Sequence, residues 1–147
     1  MNIVTLKSLL DSAISSNGAI NTWSMVTYGV NHTILERADE RNAPTQDTCP
    51  CCVLTPIRKS MSQQERNINH DFQVDIIIYD TSSAGFANLE AYRLLIQDTF
   101  TTAISTMNLN IVDIVCDYDS QTTFPFLWCG MQLRFLEQIC IGTNPLS

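Results

Sequence analysis

Residues His70–Asp80, HDFQVDIIIYD, alternate apolar and polar side chains along most of their length. Successive side chains of a β-strand point to opposite faces of its sheet, so this period of two predicts a strand with one buried face. The expected buried face carries Phe72, Val74, Ile76 and Ile78, and the opposite face carries Asp71, Gln73, Asp75, Ile77 and Tyr79. This stretch therefore marks one wall of the hydrophobic core.

Two other stretches have the apolar spacing of an amphipathic helix. The first, residues 2–16, ends before Asn17-Gly18, which supplies a stop signal. The second, NLEAYRLLIQDTFTTAISTM (88–107), is the longest predicted helix, with Asn88 as its expected N-cap. Its apolar stripe consists of Leu89, Tyr92, Leu95, Ile96, Phe100, Ala103 and Ile104.

The remaining apolar stretches are predicted to be extended. NTWSMVTYGV (21–30) is rich in aromatic and β-branched residues, and CCVLTPI (51–57) forms a short strand closed by Pro56, followed by a polar connection over 59–69. NIVDIVCDYDS (110–120) alternates in part. PFLWCGMQLRFLEQICI (125–141) alternates clearly, with Leu127, Cys129, Met131, Leu133 and Phe135 on one side.

The order of these elements is helix, strands, helix, strands. A doubly wound parallel sheet needs a helix between most of its strands, so this order favours the α+β class instead. We expect a single domain over residues 1–147, with an antiparallel or mixed sheet packed on one face by two helices.

The amino-acid composition disfavours some classes of binding partner. The net charge is -7 and the pI is about 4.5, which disfavours general binding to nucleic acid or to an anionic membrane. Only 16% of the residues are charged, which hints at surfaces buried against partners. Lys7 and Asp11 interrupt the apolar start, so a signal peptide is not expected, and the cysteines are predicted to be reduced in the cytoplasm.

The stretch TCPCCVLTP (48–56) concentrates three thiols, Cys49, Cys51 and Cys52. Their spacing does not match paired C-x2-C zinc ligands, although His70 or His32 could complete a zinc site through the fold. Cys49 to Cys52 is formally a redox C-x-x-C, but it leads into a strand rather than a helix. We interpret the thiols as compact packing residues, with metal or thiol chemistry as the alternative.

Catalytic motifs are missing from the sequence. It has no nucleophile elbow, metalloprotease helix or glycine-rich phosphate loop, and an acidic run, Asp113, Asp117 and Asp119, lacks the glycine and glutamate of a calcium loop. We therefore predict neither an enzyme nor a cofactor.

A long exposed loop over about residues 31–50 is a candidate contact surface. Its charged residues of both signs would suit a salt-bridged subunit interface, and Trp128, an aromatic side chain on the polar side of its strand, would suit an interface anchor. The predicted interface residues are Glu36, Arg37, Asp39, Glu40, Arg41 and Trp128.

The whole arrangement resembles the tail-completion, tail-terminator and neck proteins of tailed bacteriophages. The resemblance rests on the opening helix, Tyr28-Gly29, the long loop, the proline-closed VLTP (53–56), the strand that ends in Asp80, the Asn-Leu helix start and the final strand with CGMQLRF (129–135). The cysteine cluster departs from the family pattern.

This resemblance implies a structural virion protein of the tail or neck that is assembled in the host cytoplasm. It implies a homo-oligomeric ring, hexamer or dodecamer, that contacts neighbouring head-tail or tail ring proteins. DNA would be cargo that passes through the channel, and neither a cofactor nor a membrane would be involved. An acidic lumen would repel the phosphate backbone and let the DNA slide. Two alternatives stay open: a small zinc-binding or thiol-dependent protein that uses the cysteine cluster, and a monomeric module that presents the long loop to a host partner.

Overall fold

The computed structural model describes residues 1–37 and 43–138. The described helices are α1 (Ile3–Ser15), α2 (Gly18–Tyr28) and α3 (Gly85–Ile104), with a short 3-10 turn at Gln46–Thr48. The described strands are β1 (Thr33–Leu35), β2 (Cys51–Ser62), β3 (Asn67–Tyr79), β4 (Leu109–Asp119) and β5 (Phe126–Gln138).

The strands form a mixed sheet in the order β1-β2-β3-β5-β4. β1 runs parallel to β2, and every other neighbouring pair is antiparallel. β3 lies at the centre and is paired along its length with β2 on one side and β5 on the other. The stretch with the clearest alternation in the sequence is therefore the middle strand.

The three helices cover one face of this sheet, which confirms the α+β class. The main core joins Leu6 and Leu10 of α1 and Phe100 of α3 to inward-facing side chains of β3 and β5, including Phe72 and Phe135. The rings of Phe72 and Phe100 lie edge-on to Phe135, at centroid distances of 5.7 and 6.4 Å. The predicted alternation of β3 is confirmed, because every second residue from Ile68 to Ile78 is buried.

The stretch 21–30, predicted as extended, belongs to helix α2 instead. The Asn17 side chain caps the helix by accepting a hydrogen bond from the Ile20 N–H at 2.9 Å. Gly29 ends it at φ 76°, a left-handed conformation that glycine adopts without strain, and its N–H donates to the Met25 carbonyl. Ile20 and Ser24 face the core from this helix. Because the end signals and tertiary packing favour a helix, the β-propensity of the aromatic residues does not decide the structure.

Pro56 does not close its strand, contrary to the sequence prediction. β2 continues to Ser62 through a register shift between Pro56 and Arg58, and the predicted polar connection shrinks to a turn over residues 63–66. Proline lacks an N–H, but β2 has no described strand on its outer side beyond Val53. A strand tolerates proline where its outer edge is unpaired, since no ladder hydrogen bond is lost there.

Helix α3 begins one turn earlier than predicted, at Gly85. Asn88 is therefore not an N-cap. Its side-chain amide donates a 2.9 Å hydrogen bond to Asp80 at the end of β3. The same carboxylate accepts hydrogen bonds from Ser82 and from the Tyr28 hydroxyl, so it connects the end of β3 to α2 and to the start of α3.

Candidate subunit-contact surface

Cys51 and Cys52 are neighbours on β2 and therefore point to opposite faces of the sheet. Cys52 is buried in the main core beneath the helices. Cys51 packs with Cys49 and Ile77 in a second, smaller apolar cluster on the other face. The thiols that are adjacent in sequence are thus divided between two environments.

Hydrogen bonding and burial set the ionisation of these thiols. Cys49 Sγ lies 3.9 Å from Cys51 Sγ. This contact, together with burial, raises the pKa of Cys51, whereas the same hydrogen bond lowers the pKa of Cys49. Burial raises the pKa of Cys52 to about 12. Cys51 and Cys52 are therefore protonated at neutral pH.

His70 is not near the cysteine cluster. It is opposite Lys59 on β2, whereas Cys51 is opposite Ile77, seven positions further along β3. Seven strand residues span about 23 Å. His70 is fully buried, and its Nε2 lies 3.1 Å from Glu137 Oε1. His70 is therefore too far from Cys49, Cys51 and Cys52 to bind one zinc ion together with them.

The other histidine, His32, is also buried and hydrogen-bonded inside the protein. His32 Nδ1 lies 2.9 Å from the Tyr92 hydroxyl, and its Nε2 lies 2.9 Å from the Ile14 carbonyl oxygen. Burial lowers the pKa of both His32 and His70. Across residues 1–37 and 43–138, no group of three or more His, Cys, Asp or Glu side chains is placed to hold a metal ion.

The face of the sheet opposite the helices, called here the open face, carries mostly polar and charged side chains. Its residues include Thr55, Arg58, Asp71, Gln73, Asp75, Asp113, Val115, Asp117, Asp119, Trp128, Gly130, Gln132 and Arg134. A groove of about 440 Å³ crosses this face and is lined by residues of β2, β3, β4 and β5. The groove therefore spans four neighbouring strands of the sheet.

Ion pairs organise the centre of the open face. Arg134 Nε donates to Asp71 Oδ1 at 2.8 Å and its Nη2 donates to Asp71 Oδ2 at 3.2 Å, a bidentate contact. Arg58 Nη2 lies 3.4 Å from the same carboxylate. The hydrogen bonds from Arg134 hold the pKa of Asp71 below its usual value. These charges are already paired, which suits a docking surface better than acid–base catalysis.

Trp128, a predicted interface anchor, lies on the open face but is half-buried. Its indole Nε1 donates to Asp75 Oδ1 at 3.2 Å, and its ring packs on the small cluster of Cys49, Cys51 and Ile77. Trp128 therefore packs within its own chain, and a partner could contact only the exposed part of its side chain.

The predicted contact loop, residues 31–50, is only partly described. It contains the short strand β1, and Cys49 and Pro50 at its end are buried. Glu36 is exposed, with its carboxylate 3.9 Å from Lys7 Nζ, and Arg37 is also exposed. Asp39, Glu40 and Arg41 lie outside the described residues.

The outer strand β4 has an apolar surface that the sequence analysis did not single out. Val112, Ile114, Val115 and Tyr118 are between 39% and 51% exposed. The Tyr118 ring packs against Phe86 at 5.3 Å, and its hydroxyl donates to Glu90 of α3. The sequence carries a sign of this exposure. Apolar and polar residues do not alternate strictly over 111–118, as they would in a strand with one covered face.

No protein-family model matches the chain, and no curated protein sequence matches it. A solved structure similar to this chain belongs to the virion of a native gene transfer agent particle. The TM-score is 0.58 at 14% sequence identity, and the similarity covers 90% of this chain and 94% of that chain. At this identity the likeness shows a shared fold.

The chemistry available to the surface follows from these positions. No helix among the described residues is long and apolar enough to span a membrane. The open face offers charged pairs and amides, and β4 offers exposed apolar side chains beside an edge that no strand in residues 1–37 or 43–138 covers. Strand edges of this kind bind other strands.

Proposed function

We propose that this chain is a structural protein of a phage-like virion, without a catalytic role. The observation that carries the proposal is the fold shared with a chain of a gene transfer agent virion, which covers almost the whole of both chains. The open face and the exposed strand β4 supply uncovered surface of the kind an assembling protein needs.

We further propose that copies of the chain form a homo-oligomeric ring at the head-tail junction or along the tail, as a tail terminator, neck or tail-completion protein. The ring, a hexamer or dodecamer, would be assembled in the host cytoplasm and would contact neighbouring ring proteins of the virion. Glu36, Arg37 and the neighbouring predicted loop residues, together with Trp128, are candidates for those contacts.

DNA is proposed to pass through the ring without specific binding. The open face carries five aspartates, Asp71, Asp75, Asp113, Asp117 and Asp119, against two arginines, Arg58 and Arg134. An acidic lumen would repel the phosphate backbone, so DNA would slide rather than adhere.

The test is the mass and shape of the purified chain. We expect light scattering to give one defined oligomer and negative-stain electron microscopy to give annular particles with a central channel. Zinc content measured on the same sample addresses the alternative use of the cysteines. A chain that stays monomeric up to millimolar concentration would contradict the ring. A monomer with one bound zinc would favour the metal-binding alternative.

A further inference from the structure

At each side of the sheet, one strand edge has no partner strand among the described residues. β4 is paired with β5 on one side only. β2 is paired with β1 only over Cys51–Val53, so its residues from Leu54 to Ser62 have β3 on one side only. Pro56 has no N–H, so an added strand would pair with residues 57–62, where every second N–H points away from β3. Each edge therefore presents backbone groups that an added strand would satisfy.

A row of alternating charges crosses the open face from one edge to the other. Arg58 of β2 is opposite Asp71 of β3, Asp71 is opposite Arg134 of β5, and Arg134 is opposite Asp113 of β4. We call these four residues the charge row. It begins with a cation at the β2 edge and ends with an anion at the β4 edge.

The two ends of the charge row are accessible. The Arg58 side chain is 63% exposed, and Asp113 is exposed. The strands differ in the same sense, because β2 carries Arg58 and Lys59 without an acidic residue, whereas β4 carries three aspartates without a basic one. Opposite charges placed across neighbouring strands stabilise pairing, and like charges oppose it. The β4 edge is therefore complementary to the β2 edge and repels a second β4.

Apolar side chains flank the charges at both edges. Ile57 precedes Arg58 and is 59% exposed, and Val112 and Ile114 adjoin Asp113 with exposures of 49% and 39%. Pairing would remove part of these side chains from water, which favours the contact. The contact would thus combine strand hydrogen bonds, apolar burial and an ion pair.

We propose that β4 of one copy pairs antiparallel with β2 of the next copy, along the edge of β2 that has no described partner, with Asp113 opposite Arg58 of that copy. This inference rests on the proposed ring and specifies the contact that builds it. The charge row then continues unbroken, with alternating signs, from copy to copy.

The strand directions fit this arrangement. Three antiparallel steps separate β2 from β4, so these two strands run in opposite directions within one copy. A second copy that is rotated about an axis along the strands therefore presents β2 antiparallel to β4 and keeps its helices on the same side. The contact joins different surfaces, and repetition of such a head-to-tail contact closes into a ring where the rotation permits. The ring would have the open face inside, because the aspartates of this face would repel the phosphate backbone of passing DNA.

Two charge reversals test the contact. Arg58→Glu and Asp113→Lys are each expected to place like charges across the junction and to raise the dissociation constant of the oligomer about tenfold or more. Asp98→Lys, at an exposed position on α3, is the matched control and is expected to keep the wild-type mass. Masses are measured by sedimentation velocity, with circular dichroism to check that each variant is folded.

The decisive sample is a 1:1 mixture of the two reversed variants. Every junction in an alternating assembly then has opposite charges, either between the two introduced side chains or between the native Asp113 and Arg58. We expect the mixture to recover the wild-type mass although neither variant does so alone. A contact between two β4 edges would instead leave Arg58→Glu at the wild-type mass, because residue 58 lies on β2, outside such a contact.

The outcomes separate this contact from the ring itself. If both folded variants keep the wild-type oligomer, or if their mixture does not reassemble, the proposed contact is wrong while the ring stands. If the wild-type chain never forms an oligomer, the ring is wrong and the contact with it.

Discussion

Replacement of Asp80 by asparagine should destabilise the fold in a way that depends on pH. Asp80 ends β3, is 6% exposed and accepts four hydrogen bonds. The donors are the Tyr28 hydroxyl at 2.7 Å, the Ser82 N–H and hydroxyl at 2.7 and 2.6 Å, and the Asn88 amide at 2.9 Å. An asparagine in the same place keeps the shape but loses the negative charge and one acceptor oxygen.

The expected magnitude follows from the pKa of this carboxyl. Burial alone raises the pKa of Asp80, but the hydrogen bonds from Ser82, Asn88 and Tyr28 outweigh burial and lower it from 3.8 to about 2. Each pKa unit corresponds to about 1.4 kcal/mol, which sets an upper bound of about 2.5 kcal/mol. Asparagine keeps one acceptor oxygen for these donors, so the expected loss is about 1–2 kcal/mol.

The sign follows from the lowered pKa. A carboxyl that ionises more easily in the folded state stabilises the fold above its unfolded pKa near 3.8 and loses this contribution as the pH falls through about 2. The unfolded state binds more protons over that range, so acid favours unfolding.

Urea unfolding at several pH values measures the effect. At pH 7 we expect Asp80→Asn to lower the free energy of unfolding by about 1–2 kcal/mol, or more where the amide leaves a donor unpaired. The difference from wild type should shrink towards pH 2. Asp98→Asn, at an exposed position on α3, is expected to change stability by less than about 0.5 kcal/mol. An equal loss at pH 7 and pH 2 would refute the reasoning, because the ionised carboxylate would then contribute nothing.

Three further predictions concern the core and the cysteines. Burial lowers the pKa of His70 despite the nearby Glu137, so wild type should lose more stability than His70→Gln between pH 7 and pH 5, as measured by thermal unfolding. A flat difference would contradict this. Phe135→Ala should cost about 3–5 kcal/mol because it empties the contact with two other phenylalanine rings, whereas Phe135→Leu should cost clearly less in the same urea assay. The purified chain should hold far less than one zinc per copy, and EDTA should leave its melting temperature unchanged; a drop in melting temperature with EDTA would revive the metal site.

The sheet and the long helix could be predicted because their side chains obey a period. Along β3 and β5 the inward positions are apolar almost without exception, so the sequence alone indicated the strands and their buried faces. Helix α3 was predicted from its apolar stripe, and its start was misplaced because Asn88, a favoured capping residue, bonds to Asp80 instead.

Helix α2 shows how local signals compete. Its aromatic and β-branched residues favour a strand, but Asn17 and Gly29 carry the capping chemistry of a helix eleven residues long. Asn17-Gly18 is a stop signal after α1, and it also starts α2. The caps at Asn17 and Gly29 therefore indicate α2 better than the β-propensity of its residues does.

The charge row could not be predicted from the sequence. Its members are up to 76 positions apart, from Arg58 to Arg134, and they align only because β5 inserts between β3 and β4. Strand order and register depend on long-range pairing, which side-chain periodicity does not encode. The same holds for the exposure of β4, since a strand becomes an edge only through its place in the sheet.

The open face connects the two proposals about this chain. This face is acidic, and the charge row that crosses it ends in opposite charges at two strand edges that have no partner among the described residues. A head-to-tail contact between these edges would use Asp113 in an ion pair while Asp75, Asp117 and Asp119 stay on the inner surface. The surface left inside the ring would therefore remain negative after assembly. The residues that would join the copies and the aspartates that would repel DNA thus lie on the same face. They are different residues, so the contact does not neutralise the aspartates that face the channel.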